Sequence, residues 1–265
     1  MVRERPVICI FEDMKGKKIY FASDNHLGAP TLEASMIREK IFVNWLDHIK
    51  ADAEAVFLLG DLFDVWIEYK SVVPKGFVRV LGKLAELSDA GIDIHFFVGN
   101  HDMWMRDYMQ QEIGAQVYFN PQTFTLSGKQ FLIGHGDGLG PDDKGFKRMK
   151  KLFRNRLAQW LFRWLHPDLG IPFARYLSLK NKLISGDEDL KYHGPEKEWL
   201  FQYAQRKLKQ AHYDYFVFGH RHLPLELPVG DKSTYINTGD WISHYTYGVF
   251  DGESLTLQYW KPEND

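Results

Sequence analysis

Five short clusters in the chain mix carboxylates, imidazoles and an amide, donor types that suit Mn, Fe or Zn. They are Ser23-Asp24-Asn25-His26, Gly60-Asp61-Leu62-Phe63-Asp64, Gly99-Asn100-His101-Asp102, Gly134-His135-Gly136-Asp137 and Gly219-His220-Arg221-His222. A single such cluster says little, because Asp-x-His arises by chance and a lone histidine is usually a surface or core residue. Here each cluster follows an apolar run, so all five are placed at strand ends. The carboxyl ends of strands are where α/β proteins bind ligands. The glycines permit sharp turns and close approach of backbone to a bound group.

The strands that would deliver these clusters are short β-branched and aromatic runs: Lys18–Ala22, Ala55–Leu59, Ile92–Val98, Gln130–Ile133 and Tyr215–Phe218. Ser233–Ile236, Thr246–Phe250 and Leu255–Tyr259 follow as three more. Helical periodicity fills Leu32–Ile49 and Gly76–Ala90, so strand and helix alternate early and strands dominate late. That order predicts an α/β fold of two packed sheets flanked by helices. Residues 144–210 carry no strand signal and are punctuated by Pro167, Gly170, Pro172, Gly186, Gly194 and Pro195. They read as a helical insert, a lid on a core made of residues 1–143 and 211–265. Residues 1–13 are either an optional extension or an added edge strand.

The chain has 265 residues, 45% hydrophobic and 26% charged, enough to bury one large core. A lone cysteine, Cys9, excludes a disulfide framework and agrees with a reducing cytosol. No apolar run reaches the ~18 residues that cross a bilayer, and acids interrupt the opening segment, unlike a signal peptide. The expectation is a protein neither secreted nor membrane-spanning. The net charge of −2 hides a basic segment: Lys144 to Lys182 holds six lysines and five arginines against one acid, Asp168. Phe146, Met149, Phe153, Leu157, Trp160 and Trp164 recur every three or four residues there and predict one amphipathic helix. Its basic face could be merely solvated, could meet an anionic lipid surface, or could track nucleic acid.

The ordered set D-x-H, G-D-x-x-D, G-N-H-D, G-H and G-H-x-H, from Asp24 to His222, resembles the calcineurin-like metallophosphoesterase superfamily. The resemblance implies two divalent metal ions, Mn²⁺ first and Fe or Zn as substitutes. Asp24, His26, Asp61 and His222 would hold one; Asp61 would bridge, and Asn100, His135 and His220 would complete the other. Two cations ~3.5–4 Å apart need such a shared carboxylate, and the pair would activate a water against phosphorus. His101, not needed as a ligand, would face the phosphate or protonate the leaving oxygen, with Asp64 orienting it. Asp102 and Asp137 would brace their loops. His48, His95 and His212 read as structural, and His166, His193 and His244 stay undecided. Asn237-Thr238-Gly239-Asp240-Trp241 is either a loop beside the site or an ordinary hairpin turn.

The stretches GDLFDVWIEY and HGDGLGPDDKGF, followed by the basic insert, are similar to the UDP-2,3-diacylglucosamine hydrolases of lipid A synthesis. That similarity implies cleavage of the pyrophosphate of this glycolipid nucleotide at the cytoplasmic face of the inner membrane, without nucleic acid or an obligate protein partner. Asp143 and the cluster Arg175, Ser178, Asn181 and Lys182 match the family's substrate contacts, beside Asn100 and His101. The best-known branch has Gly-Asn-Arg-Asp and a Glu where this chain has His101 and Asp64. The alternative is a broader phosphodiesterase acting on nucleotides or nucleic acid.

Overall fold

The computed structural model describes residues 8–11, 14, 16–140, 144–185 and 191–261. Its first half runs β1 (Ile8–Ile10), β2 (Lys18–Ala22), α1 (Leu32–Ile49), β3 (Ala53–Leu58), α2 (Val78–Asp89), β4 (Asp93–Phe97), α3 (Tyr108–Glu112), β5 (Gln116–Tyr118), β6 (Gln122–Leu126) and β7 (Lys129–Gly134). Four helices follow: α4 (Lys144–Phe153), α5 (Arg156–Phe162), α6 (Pro167–Ser185) and α7 (Trp199–Leu208). The chain closes with β8 (Tyr215–Phe218), β9 (Pro224–Val229), β10 (Ser233–Thr238), β11 (Thr246–Phe250) and β12 (Leu255–Tyr259).

The strands form two six-stranded mixed sheets, ordered β1-β6-β7-β8-β10-β9 and β12-β11-β2-β3-β4-β5. Aromatic residues pack between them: Phe21, Phe57 and Phe97 from one sheet meet Phe124 and Phe131 from the other. The outer face of the second sheet is covered by α1 and α2 through Phe42, Trp45, Val80 and Leu84. Helix α7 covers the first sheet through Leu200, Phe201 and Ala204. The predicted α/β class with two helix-flanked sheets is the observed one.

The parallel trio β2, β3 and β4 lies in one sheet and the parallel trio β7, β8 and β10 in the other. Their carboxyl ends meet: Asp24 N–H donates to the Gly60 carbonyl (3.1 Å), and Gly219 N–H to the His135 carbonyl (2.9 Å). His220 N–H donates to Asp24 Oδ2 at 2.8 Å and so ties one sheet to the other.

Ile8–Ile10 is an edge strand, paired in parallel with β6, as the second of the two readings of its segment had it. Differences from the sequence reading have local causes. Strand β9 escaped notice because Pro224 and Pro228 argue against a strand; it lies at a sheet edge, where proline is tolerated. The single basic helix is in fact two. It breaks at Arg154–Asn155, where the Asn155 side chain accepts hydrogen bonds from Leu157 N–H and Ala158 N–H and starts α5. Pro167 opens α6, as suits a residue without an N–H, and Pro172 lies within it.

Candidate metal centre

The five strand-end clusters converge. His26 Nε2 lies 3.1 Å from His222 Nε2 and 3.9 Å from Asp24 Oδ1, and His222 Nε2 lies 3.4 Å from Asp24 Oδ1. On the other flank His135 Nε2 is 3.2 Å from His220 Nδ1 and 3.1 Å from the Asn100 side-chain oxygen. Asp61 sits between: its Oδ2 is 3.8 Å from His26 Nε2 and 3.3 Å from His135 Nε2. Asp24 with His26 and His222, and Asp61 with His135 and His220, each gather donor atoms closely enough for one ion. His101 joins a third such group with His26 and Asp61, so geometry brings it to the cluster as well.

The far ring nitrogens explain why these donors suit a cation. His135 Nδ1 faces the Leu59 carbonyl at 2.8 Å, His26 Nδ1 the Asp64 carboxylate at 3.2 Å, and His222 Nδ1 the Asp240 carboxylate at 3.5 Å. A proton held at each Nδ1 leaves the Nε2 lone pair aimed into the cluster, the tautomer a metal ligand needs. Asp24 Oδ1 is buried with no hydrogen-bond partner, a costly condition that a cation would remove. The residues present therefore fit two divalent ions.

The backbone carries the cost of this convergence. Asp24, His26, Asp61, His220 and His222 all have positive φ, between 45° and 70°. Non-glycine residues seldom adopt this left-handed region, and they collect where function demands it. Gly99 is there for space: a Cβ would stand 2.7 Å from the Asp61 backbone nitrogen.

Charge is concentrated as well. Burial raises the Asp24 carboxyl. Burial also acts on Asp61, but His135, His101 and His26 outweigh it and hold that carboxyl well below its usual range. Burial opposes charge on His135, yet Asp61 prevails and its pKa rises to about 10; burial takes His220 down to about 3. Asp102 is pushed up to about 8 by burial and by Asp61, and it braces its loop by accepting from Gly99 N–H (2.7 Å) and Leu62 N–H (3.1 Å). Asp137 pairs with Lys150 of α4 at 2.5 Å.

Asp64 contacts more than His101. His101 Nδ1 lies 3.0 Å from the backbone carbonyl of Asp64 and 3.5 Å from its carboxylate, while that carboxylate approaches His26 and accepts from Ser178 Oγ at 2.9 Å. Asp64 thus steadies His26 as well as His101. Ser178 is buried and reaches His101 Nδ1 at 3.2 Å, so helix α6 touches the centre itself. Arg175 lines a cavity of about 180 Å³ with Asp64 and residues 28–32. Asp143 lies outside the described residues, and the side chains of Asn181 and Lys182 lie outside the described side chains.

Sequence reasoning left Asn237–Trp241 between two readings; the loop lies beside the site. Asp240 faces His222 and accepts from Ile242, Ser243 and His244 N–H. Trp241 N–H donates to the Asp24 carbonyl, and Ser23 Oγ is 2.7 Å from Thr238 Oγ1. The only sequence signal was a polar cluster after a strand. His95 is buried and stacked on Phe57, His48 packs on Trp260, and His212 pairs with Asp214 at the surface.

Residues 17–224 match the family model described as Calcineurin-like phosphoesterase. The chain is 40% identical over 257 residues to a UDP-2,3-diacylglucosamine hydrolase of Porphyromonas gingivalis, covering 91% of this chain and 97% of that one. It is 28% identical over 228 residues to a protein of the same name from Histophilus somni, covering 85% and 92%. A solved phosphoesterase from E. coli aligns over 90% of this chain and 91% of its own, with a TM-score of 0.45 and 17% identity.

Proposed function

Because the chain belongs to the calcineurin-like phosphoesterase family, we propose that it hydrolyses UDP-2,3-diacylglucosamine to 2,3-diacylglucosamine 1-phosphate and UMP. One water is consumed: its oxygen forms a new bond to one phosphorus, and the bridging oxygen leaves with the other phosphate. Asp24, His26, Asp61 and His222 would hold one divalent ion, and Asp61, Asn100, His135 and His220 a second, Mn²⁺ being our choice. When bound, such a pair lowers the pKa of water and offsets charge on the phosphoryl oxygens. His101, whose Nδ1 faces the Asp64 carbonyl, would donate a proton to the leaving oxygen.

The observation that carries the substrate reading is the junction of insert and centre. Ser178 donates to Asp64, and Arg175 lines a cavity with Asp64, which supports α6 as a substrate-facing helix that offers a cation and a hydroxyl. A guanidinium suits a substrate phosphate. Elsewhere in the insert, Leu157, Trp160, Trp164, Leu169, Phe173 and Tyr176 are exposed, with Arg156 exposed among them. Apolar rings beside cations favour the headgroup region of a bilayer, which supports a peripheral position on the cytoplasmic face of the inner membrane. Among the described residues no helix is long and apolar enough to cross a membrane.

The test compares Mn²⁺-loaded protein on the diacylated nucleotide and on small chromogenic phosphodiesters, with Arg175→Ala beside the wild type. The expected result is a loss of roughly 10–100-fold in kcat/KM on the lipid nucleotide, the worth of a charge-assisted hydrogen bond. The chromogenic diester should lose far less. Equal losses on both would make Arg175 a support of the fold. Faster cleavage of DNA or RNA than of the lipid nucleotide, steeply weakened by salt, would replace the reading with a nuclease.

A further inference from the structure

Arg154, at the end of α4, spends one N–H on the Phe119 carbonyl at 2.9 Å, while its Nε and Nη2 are buried with no hydrogen-bond partner. Lys150, one turn earlier, is by contrast neutralised by Asp137 at 2.5 Å and donates to the Asp137 carbonyl at 3.1 Å. A guanidinium carries five donors in a fixed fork, and leaving buried ones unpaired is unfavourable. Such an arrangement invites a ligand that brings acceptor oxygens.

Arg154 and Lys150 line a cavity of about 200 Å³, walled by Phe119, Pro121, His135 and Leu139. His135 also belongs to the metal centre, so the cavity opens from that flank of it. The cavity of Arg175 and Asp64 adjoins the other flank, because Asp64 lies 3.2 Å from His26. One dinuclear cluster is thus flanked by two cavities of unlike lining. Arg175 stands on a helix whose Phe173, Tyr176 and Leu177 are exposed and apolar. The Arg154 cavity, of similar volume, has an aromatic wall at Phe119 and holds unspent donors.

A substrate joined through a pyrophosphate has two unlike ends and needs two unlike receptors on either side of the reacting phosphorus. We infer that the Arg154 cavity is the nucleotide subsite, with the guanidinium donating to oxygens of the uridine and Phe119 lying against its ring. This rests on the substrate proposed above. The lipid end is then left to the Arg175 flank, where the exposed apolar side chains are.

The experiment measures dissociation constants of UMP, glucosamine 1-phosphate and inorganic phosphate for Mn²⁺-loaded protein. Arg154→Ala should weaken UMP by roughly 10–100-fold, the range of a hydrogen bond from a charged donor. Glucosamine 1-phosphate and inorganic phosphate should each weaken by less than about threefold. Phe119→Ala, at a half-exposed position that does not threaten the core, should weaken UMP by about fivefold, as loss of ring stacking on a base would. Unchanged UMP binding in both variants, or an equal loss for all three ligands, overturns the inference. If UMP binding depends on Arg154 but the lipid nucleotide is not hydrolysed, the substrate reading fails and the subsite stands. If the lipid nucleotide is hydrolysed and UMP ignores Arg154, the subsite alone fails.

Discussion

Ser178 and Asp64 are 114 positions apart in sequence, and the Ser178 hydroxyl donates to the Asp64 carboxylate at 2.9 Å. The same hydroxyl lies 3.2 Å from His101 Nδ1, and the same carboxylate 3.2 Å from His26 Nδ1. One hydrogen bond therefore joins the helical insert to a candidate ligand and to the candidate general acid. Ser178→Ala should keep its metal and lower kcat/KM on the lipid nucleotide roughly tenfold, as loss of one hydrogen bond to a charged group would. Metal content by elemental analysis beside steady-state kinetics decides it: metal loss would put Ser178 in service of the candidate ligands rather than the substrate.

Asp61 and His101 should separate cleanly. Asp61 touches both flanks of the cluster, so Asp61→Ala should lose bound metal and nearly all turnover. His101→Ala should retain both ions while kcat falls by roughly 10²–10⁴, the usual range for an acid–base group. Because His101 groups with His26 and Asp61, loss of metal from His101→Ala would reassign it as a ligand.

Asp240 holds the far side of His222 and three backbone N–H groups at once. Asp240→Ala should therefore weaken metal binding by about 10–100-fold, the common effect of removing a carboxylate that orients a ligating histidine. Competition with a chelator measures this directly. Affinity equal to the wild type would reduce Asp240 to a turn residue.

His95 supplies a pH dependence away from the candidate metal centre. Burial against Phe57 lowers its pKa to about 4 from the usual value of 6.5. The unfolded chain binds its proton as pH falls below 6.5, and the folded chain resists until about 4. The contribution to stability is thus complete above pH 6.5 and is lost as pH falls toward 4, about 2 kcal/mol of it by pH 5. Urea unfolding at pH 7 and pH 5 should show that loss, and His95→Phe should remove this part of it. An identical pH slope in wild type and variant would exclude His95 as its source.

The strand-end clusters of the candidate metal centre were legible in the chain itself because their grammar is local. A short β-branched run followed by glycine and metal-competent side chains states both the strand and what the strand delivers, and five repeats state a common destination. Lys18–Ala22, Leu32–Ile49 and Tyr215–Phe218 stand where periodicity put them, since each has a neighbourhood apolar enough to declare its face. Proline-bearing β9 did not declare itself, because only a position at a sheet edge makes those prolines acceptable.

Tertiary structure alone decided the contacts that depend on two distant elements arriving together. That Asp64 turns its carboxylate to His26 and Ser178, and its carbonyl to His101, follows from where α6 lies against the β3 loop. That Asp240 stands behind His222 follows from the pairing of β10 beside β8, which aligns the two strand ends. Arg154 looked like one more basic residue on an amphipathic helix until α4 ended ahead of Asn155, the cap that starts α5, and its guanidinium became buried against the Phe119 carbonyl. Residue types and local periodicity name the donors and their strands; the partner each donor turns toward is set by packing between segments far apart in the chain.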